Sequence, residues 1–111
     1  MNVTRFDSAP EYFPQNHFSM RCVRLQGHEA GEADTLWLGV SIIQPGGYTT
    51  LSASDVEKHY VVLSGELTVE TNDTTVVLGV NDSCRLAPGE ARALRNLTSA
   101  PVSVLLAMPF L

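Results

Sequence analysis

An all-β, single-domain fold is predicted by three features of the sequence. Short runs rich in Val, Ile and Thr recur along the chain, and Gly or Pro interrupts them about every ten residues. No helical periodicity lasts beyond a turn or two. The 111 residues suffice for one real core and are too few for two domains, so residues 1–111 are read as a single domain. Roughly seven to nine strands at this spacing make a sandwich or barrel.

The elements follow in order. Residues 1–19 carry Phe6, Tyr12, Phe13 and Phe18, while Pro10 and Pro14 forbid a continuous helix. They are expected to form an arm of short extended or turn pieces over the barrel or over a partner subunit. "MRCVRLQG" reads as a strand and "HEAGEAD" as a polar loop. "TLWLGVSII" is a strand that the turn "QPGG" should close. "KHYVVLSGELTVE" holds two strands around Ser64-Gly65, and "TND" turns into "TTVVLG". "CRLAPGE", "ARALRNLTS" and "APVSVLLAMPF" supply the rest. In "KHYVVLSG" alternation puts Lys58, Tyr60 and Val62 on one face and His59, Val61 and Leu63 on the other. Neither set is purely polar, which predicts a strand buried on both sides.

Bulk properties narrow the function. A net charge of −5, with the seven cations scattered, lacks the basic footprint of a nucleic-acid binder. No apolar run approaches the ~20 residues that span a bilayer, and no signal peptide is evident. Cys22 and Cys84 lack metal-type spacing and are expected to be reduced thiols in a cytoplasmic protein.

Two motifs carry more information. Gly46, five residues, Ser52-Ala53-Ser54, three residues, Lys58, six residues and Gly65 form one grid. Asn81, five residues, Ala87-Pro88-Gly89, two residues, Arg92, three residues and Asn96 form a second. Together with their spacer they occupy residues 36–108. This pattern resembles the cupin family of small jelly-roll (double-stranded β-helix) barrels. In that family the first motif runs Gly-x5-His-x-His-x3-Glu-x6-Gly, and the second runs Gly-x5-Pro-x-Gly-x2-His-x3-Asn. The proline is displaced by one position and Asn81 stands for a glycine. The resemblance implies a jelly-roll barrel with its site in the lumen, and commonly a homodimer.

The departure lies at the ligand positions. Where the family places three histidines and a carboxylate, this chain has Ser52, Ser54, Lys58 and Arg92. Ammonium and guanidinium offer no lone pair and repel a cation. No metal and no cofactor is therefore expected, and His17, His28 and His59 are too dispersed to rebuild a metal site. Lys58, Arg92 and Tyr60 should instead form a catalytic or binding group. Ser52, Ser54, Tyr48 and Glu90 are the further candidates for binding substrate, Glu90 because it shares the parity of Arg92. Arginine's planar fork suits a carboxylate, and a desolvated lysine beside it can move a proton.

Two arrangements stay open at this point. Glu90 can neutralise Arg92 while Glu57 or Asp55 reaches Lys58, filling the mouth. Otherwise the cations hold a small organic acid, with a metal-independent lyase or isomerase as the enzyme reading and a sensing module as the alternative. A metal-dependent oxygenase or isomerase is the third class. His59 should face away from the lumen, and Trp37 should lie in the core. Asn96 and Asp82 should act as hydrogen-bonders at turns and strand ends.

Overall fold

The computed structural model describes residues 1–110. They form an all-β, nearly closed antiparallel barrel with two single-turn 3-10 helices, Phe6–Ser8 and His28–Ala30. The strands are β1 (Glu11–Tyr12), β2 (His17–Gln26), β3 (Leu36–Thr49), β4 (Lys58–Ser64) and β5 (Leu67–Glu70). β6 (Thr75–Leu78), β7 (Ser83–Leu86), β8 (Ala93–Arg95) and β9 (Val102–Pro109) complete the set. Their order is β6-β5-β8-β3-β9-β4-β7, with β2 on β3 and β1 on β2.

β3 is the hinge of the architecture. Over Leu36 to Ile43 it pairs with β9, and at Tyr48 it pairs with β8. One strand thus serves both packed halves, and the change of partner falls at Gln44-Pro45-Gly46-Gly47. The sequence reads this segment as a closing turn, whereas it is a bulged corner inside one long strand. Proline cannot donate to the β9 ladder, and Gly46 takes a left-handed φ of 81°. At Gly47 a Cβ would lie 2.7 Å from both Ile43 Cγ2 and the Ser19 carbonyl oxygen. The Gly46 amide donates to the Asn96 carbonyl, and the Asn96 amide to the Gly47 carbonyl. Asn96 further donates through Nδ2 to the Ile43 and Ala100 carbonyls, pinning the corner.

The lumen is filled by the inward residues of both halves, including Ile43, Val62, Leu67, Val102 and Val104, all fully buried. Trp37 belongs to this core. Outside it, Ala9 of the N-terminal arm seals a small second cluster with Val23 and Val40. The arm is shorter than residues 1–19, because β2 already starts at His17. β4 alternates as read, but only its inner set is buried. His59 and Leu63 are exposed in the single chain, so the expected burial on both sides holds for one face alone. Asp82 accepts the Gly79 amide at 2.9 Å, and Asn81 adopts φ 71°, the conformation for which a glycine is the usual choice. Cys22 is buried, Cys84 is half-buried, and both are free thiols. Among the described residues no helix is long and apolar enough to cross a membrane.

Candidate functional site

The strand ends converge at one mouth of the barrel. An isolated bridge joins Ser52 to Arg92, with each amide donating to the other's carbonyl at 3.0 and 2.9 Å. This bridge directs the Arg92 side chain inward, where it is 4% exposed. Its Nε donates to the Tyr60 hydroxyl at 3.0 Å. Its Nη1 donates to Thr49 Oγ1 and to Ser52 Oγ, each at 3.3 Å. Thr49 is held in turn by accepting the Leu94 amide at 2.9 Å. Lys58 opens β4 two residues ahead of Tyr60 and is 8% exposed. Period-two geometry puts both side chains on the lumen face.

Neither cation has a counter-ion among the described residues. Among the described residues the ion pairs involve Glu11, Glu29, Glu57 and Glu70, and none of them includes Lys58 or Arg92. Glu57 turns outward to His59 and Arg85. Glu90 is exposed and accepts the Ala87 amide of its own turn at 3.0 Å. The mouth is therefore not filled by internal ion pairs. Among the described residues no enclosed polar side-chain atom lacks a hydrogen-bond partner. The Lys58 ammonium and Arg92 Nη2 bond to no described protein group, so both reach accessible space. Burial, reinforced by the Arg92 charge, pushes the Lys58 pKa down to about 8. Burial raises the Tyr60 phenol against the opposing pull of Arg92.

Four of the residues expected from the sequence come together: Lys58, Tyr60, Arg92 and Ser52. Three do not. Ser54 donates its hydroxyl to the Val56 carbonyl at 3.0 Å. Glu90 shares the parity of Arg92, but the turn at Ala87–Glu90 lies outside the ladder and parity does not carry across it. Tyr48 faces outward, stacked on Phe18 with ring centroids 4.9 Å apart. The inward neighbour is Thr49, 1% exposed. A period-two count from buried Trp37 would have found Thr49, had the strand not been ended at Ile43. His59 faces away from the lumen as expected and is bonded to Glu57 at 2.9 Å.

His17 is the residue that sequence reading set aside. It pairs directly with Thr49 across β2 and β3, which puts the two side chains on the same, inner face. Its Nδ1 lies 2.7 Å from the Gln15 carbonyl. Burial lowers its pKa, the Gln15 carbonyl opposes this, and the Arg92 and Lys58 charges push in the same direction as burial. A cavity of about 310 Å3 opens beside it, lined by Tyr12, Phe13, Pro14, Met20 and Cys22 with Glu11 and Arg21 at its edge. Lys58 and Arg92 are not in that wall and act on His17 as charges.

The metal chemistry of related barrels does not fit this donor set. Arg92 is a permanent cation, Lys58 is an ammonium that repels a metal ion below about pH 8, and Ser54 has its hydroxyl committed to backbone. Among the described residues no three His, Cys, Asp or Glu side chains are grouped to hold an ion.

Comparison with known proteins agrees with the architecture. The chain is 42% identical over 98 residues to the β-D-galactosidase Rv1717 of Mycobacterium tuberculosis, covering 88% of this chain and 84% of that protein. The polyketide cyclase RemF of Streptomyces resistomycificus superposes with a TM-score of 0.87 at 18% identity, over 98% of this chain and 79% of that one. A sugar phosphate isomerase of the cupin superfamily from Silicibacter pomeroyi gives 0.81 at 17% identity, over 96% and 74%. At these identities the two structures establish the fold alone. The cupin domain model matches residues 39–108, and the chain belongs to the cupin family.

Proposed function

We propose that this protein binds a small organic anion in its barrel lumen without a metal ion, and acts on it as a lyase or isomerase. One observation carries this reading: two adjacent lumen cations, Lys58 and Arg92, lack any carboxylate partner and reach accessible space. Arg92 is held rigidly by Tyr60, Thr49 and Ser52 and supplies the planar fork. Lys58, with a pKa of about 8, releases and recovers a proton near neutral pH. In a proton transfer next to a carbonyl, the fraction of the complex with neutral Lys58 takes the proton from carbon and Arg92 stabilises the oxygen that gains charge. Without such a substrate the same pair forms a plain anion-binding module.

The decisive experiment is a thermal-shift screen with small organic acids and their neutral analogues, followed by turnover assays on Lys58→Ala and Arg92→Ala. A ligand that binds only the folded state raises the melting temperature by mass action. Acids should shift it and neutral analogues should not. Absence of any shift across a broad set of acids refutes anion binding.

A second reading rests on the 42% identity to a β-D-galactosidase. Paired carboxylates are the common means of glycoside hydrolysis, and the buried polar side chains among the described residues include no Asp or Glu. A galactoside-cleaving lumen would therefore use the Lys58 ammonium as its acid. Hydrolysis of o-nitrophenyl β-D-galactoside that disappears in Lys58→Ala would establish it.

Assembly as a homodimer belongs to the same proposal. Phe6, Leu25, Val40 and Leu63 line an apolar groove on the outer face, with Leu63 44% exposed. Light scattering after size exclusion should give twice the chain mass, and Leu63→Lys should give the single mass.

A further inference from the structure

We propose that the lumen is built for a hydroxylated carboxylate, whose carboxylate sits on Arg92 and Lys58 and whose hydroxyl donates to Nε2 of His17. This rests on the anion-binding reading above and adds a ligand class and a third contact residue. The argument begins with His17 Nδ1, 2.7 Å from the Gln15 carbonyl. A carbonyl only accepts, so Nδ1 carries the proton and the neutral ring keeps its lone pair on Nε2. The pairing of His17 with Thr49 turns the ring to the face where Thr49 meets Arg92.

The chemistry of the remaining groups makes Nε2 distinctive. Lys58 and Arg92 only donate. The oxygens of Tyr60, Thr49 and Ser52 are already accepting from Arg92. Thr49 also accepts the Leu94 amide, whereas the Tyr60 and Ser52 hydroxyls can still both accept and donate; Nε2 of neutral His17 is the side-chain atom there that can only accept. A ligand that carried only acceptors would leave it unmatched, and such mismatches are what give polar sites their selectivity. The cavity of about 310 Å3 beside His17 leaves room for the hydroxyl-bearing end of the ligand.

Protonation of His17 would abolish the contact, since Nε2 then becomes a donor. The charged and titratable groups around the ring are Lys58 from β4, Arg92 ahead of β8 with Tyr60 bonded to it, Tyr12 from β1 and Cys22 from β2, with the Glu11–Arg21 pair at the cavity edge. Tyr12, Tyr60 and Cys22 have raised pKa values and stay neutral; burial, with the Arg92 and Lys58 charges, lowers the His17 pKa against the opposing pull of the Gln15 carbonyl.

The test uses three probes with the same six-carbon chain: D-galactonate, hexanoate and galactitol, titrated calorimetrically into the intact protein. Wild-type protein should bind galactonate about tenfold more tightly than hexanoate, the worth of one good hydrogen bond, and galactitol most weakly. In His17→Phe that preference should disappear while hexanoate affinity stays within about twofold; His17→Gln, which retains an acceptor, should restore part of it. As a check independent of folding, the wild-type preference should also fall as pH drops through the protonation of His17, which burial holds below the ordinary imidazole range, while hexanoate stays ionised above the ~4 range of free carboxylates. Galactitol binding as well as galactonate would overturn the anion site itself. Hexanoate matching galactonate, or a preference that survives in His17→Phe, would leave the anion site standing and overturn the role of His17.

Discussion

The Arg92 Nε–H donates to the buried Tyr60 hydroxyl at 3.0 Å, joining the start of one barrel half to the inner face of β4. A guanidinium with no carboxylate is thereby held in one plane by neutral oxygens, and its second terminal nitrogen stays available. Neutral acceptors fix the cation without cancelling its charge. Tyr60 therefore acts as a positioning residue for Arg92.

Tyr60→Phe is expected to cost about 1–2 kcal/mol of stability, because it leaves a buried, charged donor unmatched. Denaturant unfolding measures the loss. Anion affinity should fall together with stability, whereas a purely structural tyrosine would leave affinity intact in the folded fraction.

Lys58 should make the ligand-free protein less stable than it could be. Its folded pKa is about 8 against an ordinary 10.5. Between these values the unfolded chain holds more protons, so stability rises with pH from about 8 to about 10.5, and the penalty is fully present below about 8. Lys58→Met should therefore raise unfolding free energy at neutral pH by about 1–3 kcal/mol and flatten that rise, at the expense of ligand binding. A loss of stability at neutral pH would show that the ammonium is paired.

Tyr48→Ala and Glu90→Ala separate the structure from the sequence expectation. Tyr48 stacks on Phe18 outside the barrel, and Glu90 caps its own turn. Each change should cost no more than about 1 kcal/mol and leave ligand affinity within about twofold. A tenfold loss of affinity in either would return that residue to the site.

Much of this site was legible because it sits on regular strand. Lys58 and Tyr60 follow from period-two alternation in β4, and Arg92 from the spacing of the second motif. The errors fall where the ladder is interrupted. Glu90 lies in a turn, where parity carries no meaning. Tyr48 lies beyond the bulge at Gly46-Gly47, which looks like a chain reversal because glycine and proline also mark turns. His17 was out of reach for a different reason: only the long-range register with Thr49 places it, and that register is a property of the closed barrel.

Elemental analysis of protein purified without chelator should give transition metal well below one equivalent per chain, and chelator treatment should leave the melting temperature unchanged. The reason is the donor set: a lysine and an arginine stand where lone pairs would be needed.

The most direct measurement follows the proton on Lys58 as the anion binds. At about pH 8 the free ammonium is about half ionised, and a carboxylate arriving beside it favours the charged form. Calorimetric titration of the acid in buffers of different ionisation enthalpy should show uptake of up to about half a proton per ligand at that pH, and none in Lys58→Met. Binding with no proton uptake in the wild type, or with the same uptake in Lys58→Met, would place the anion elsewhere.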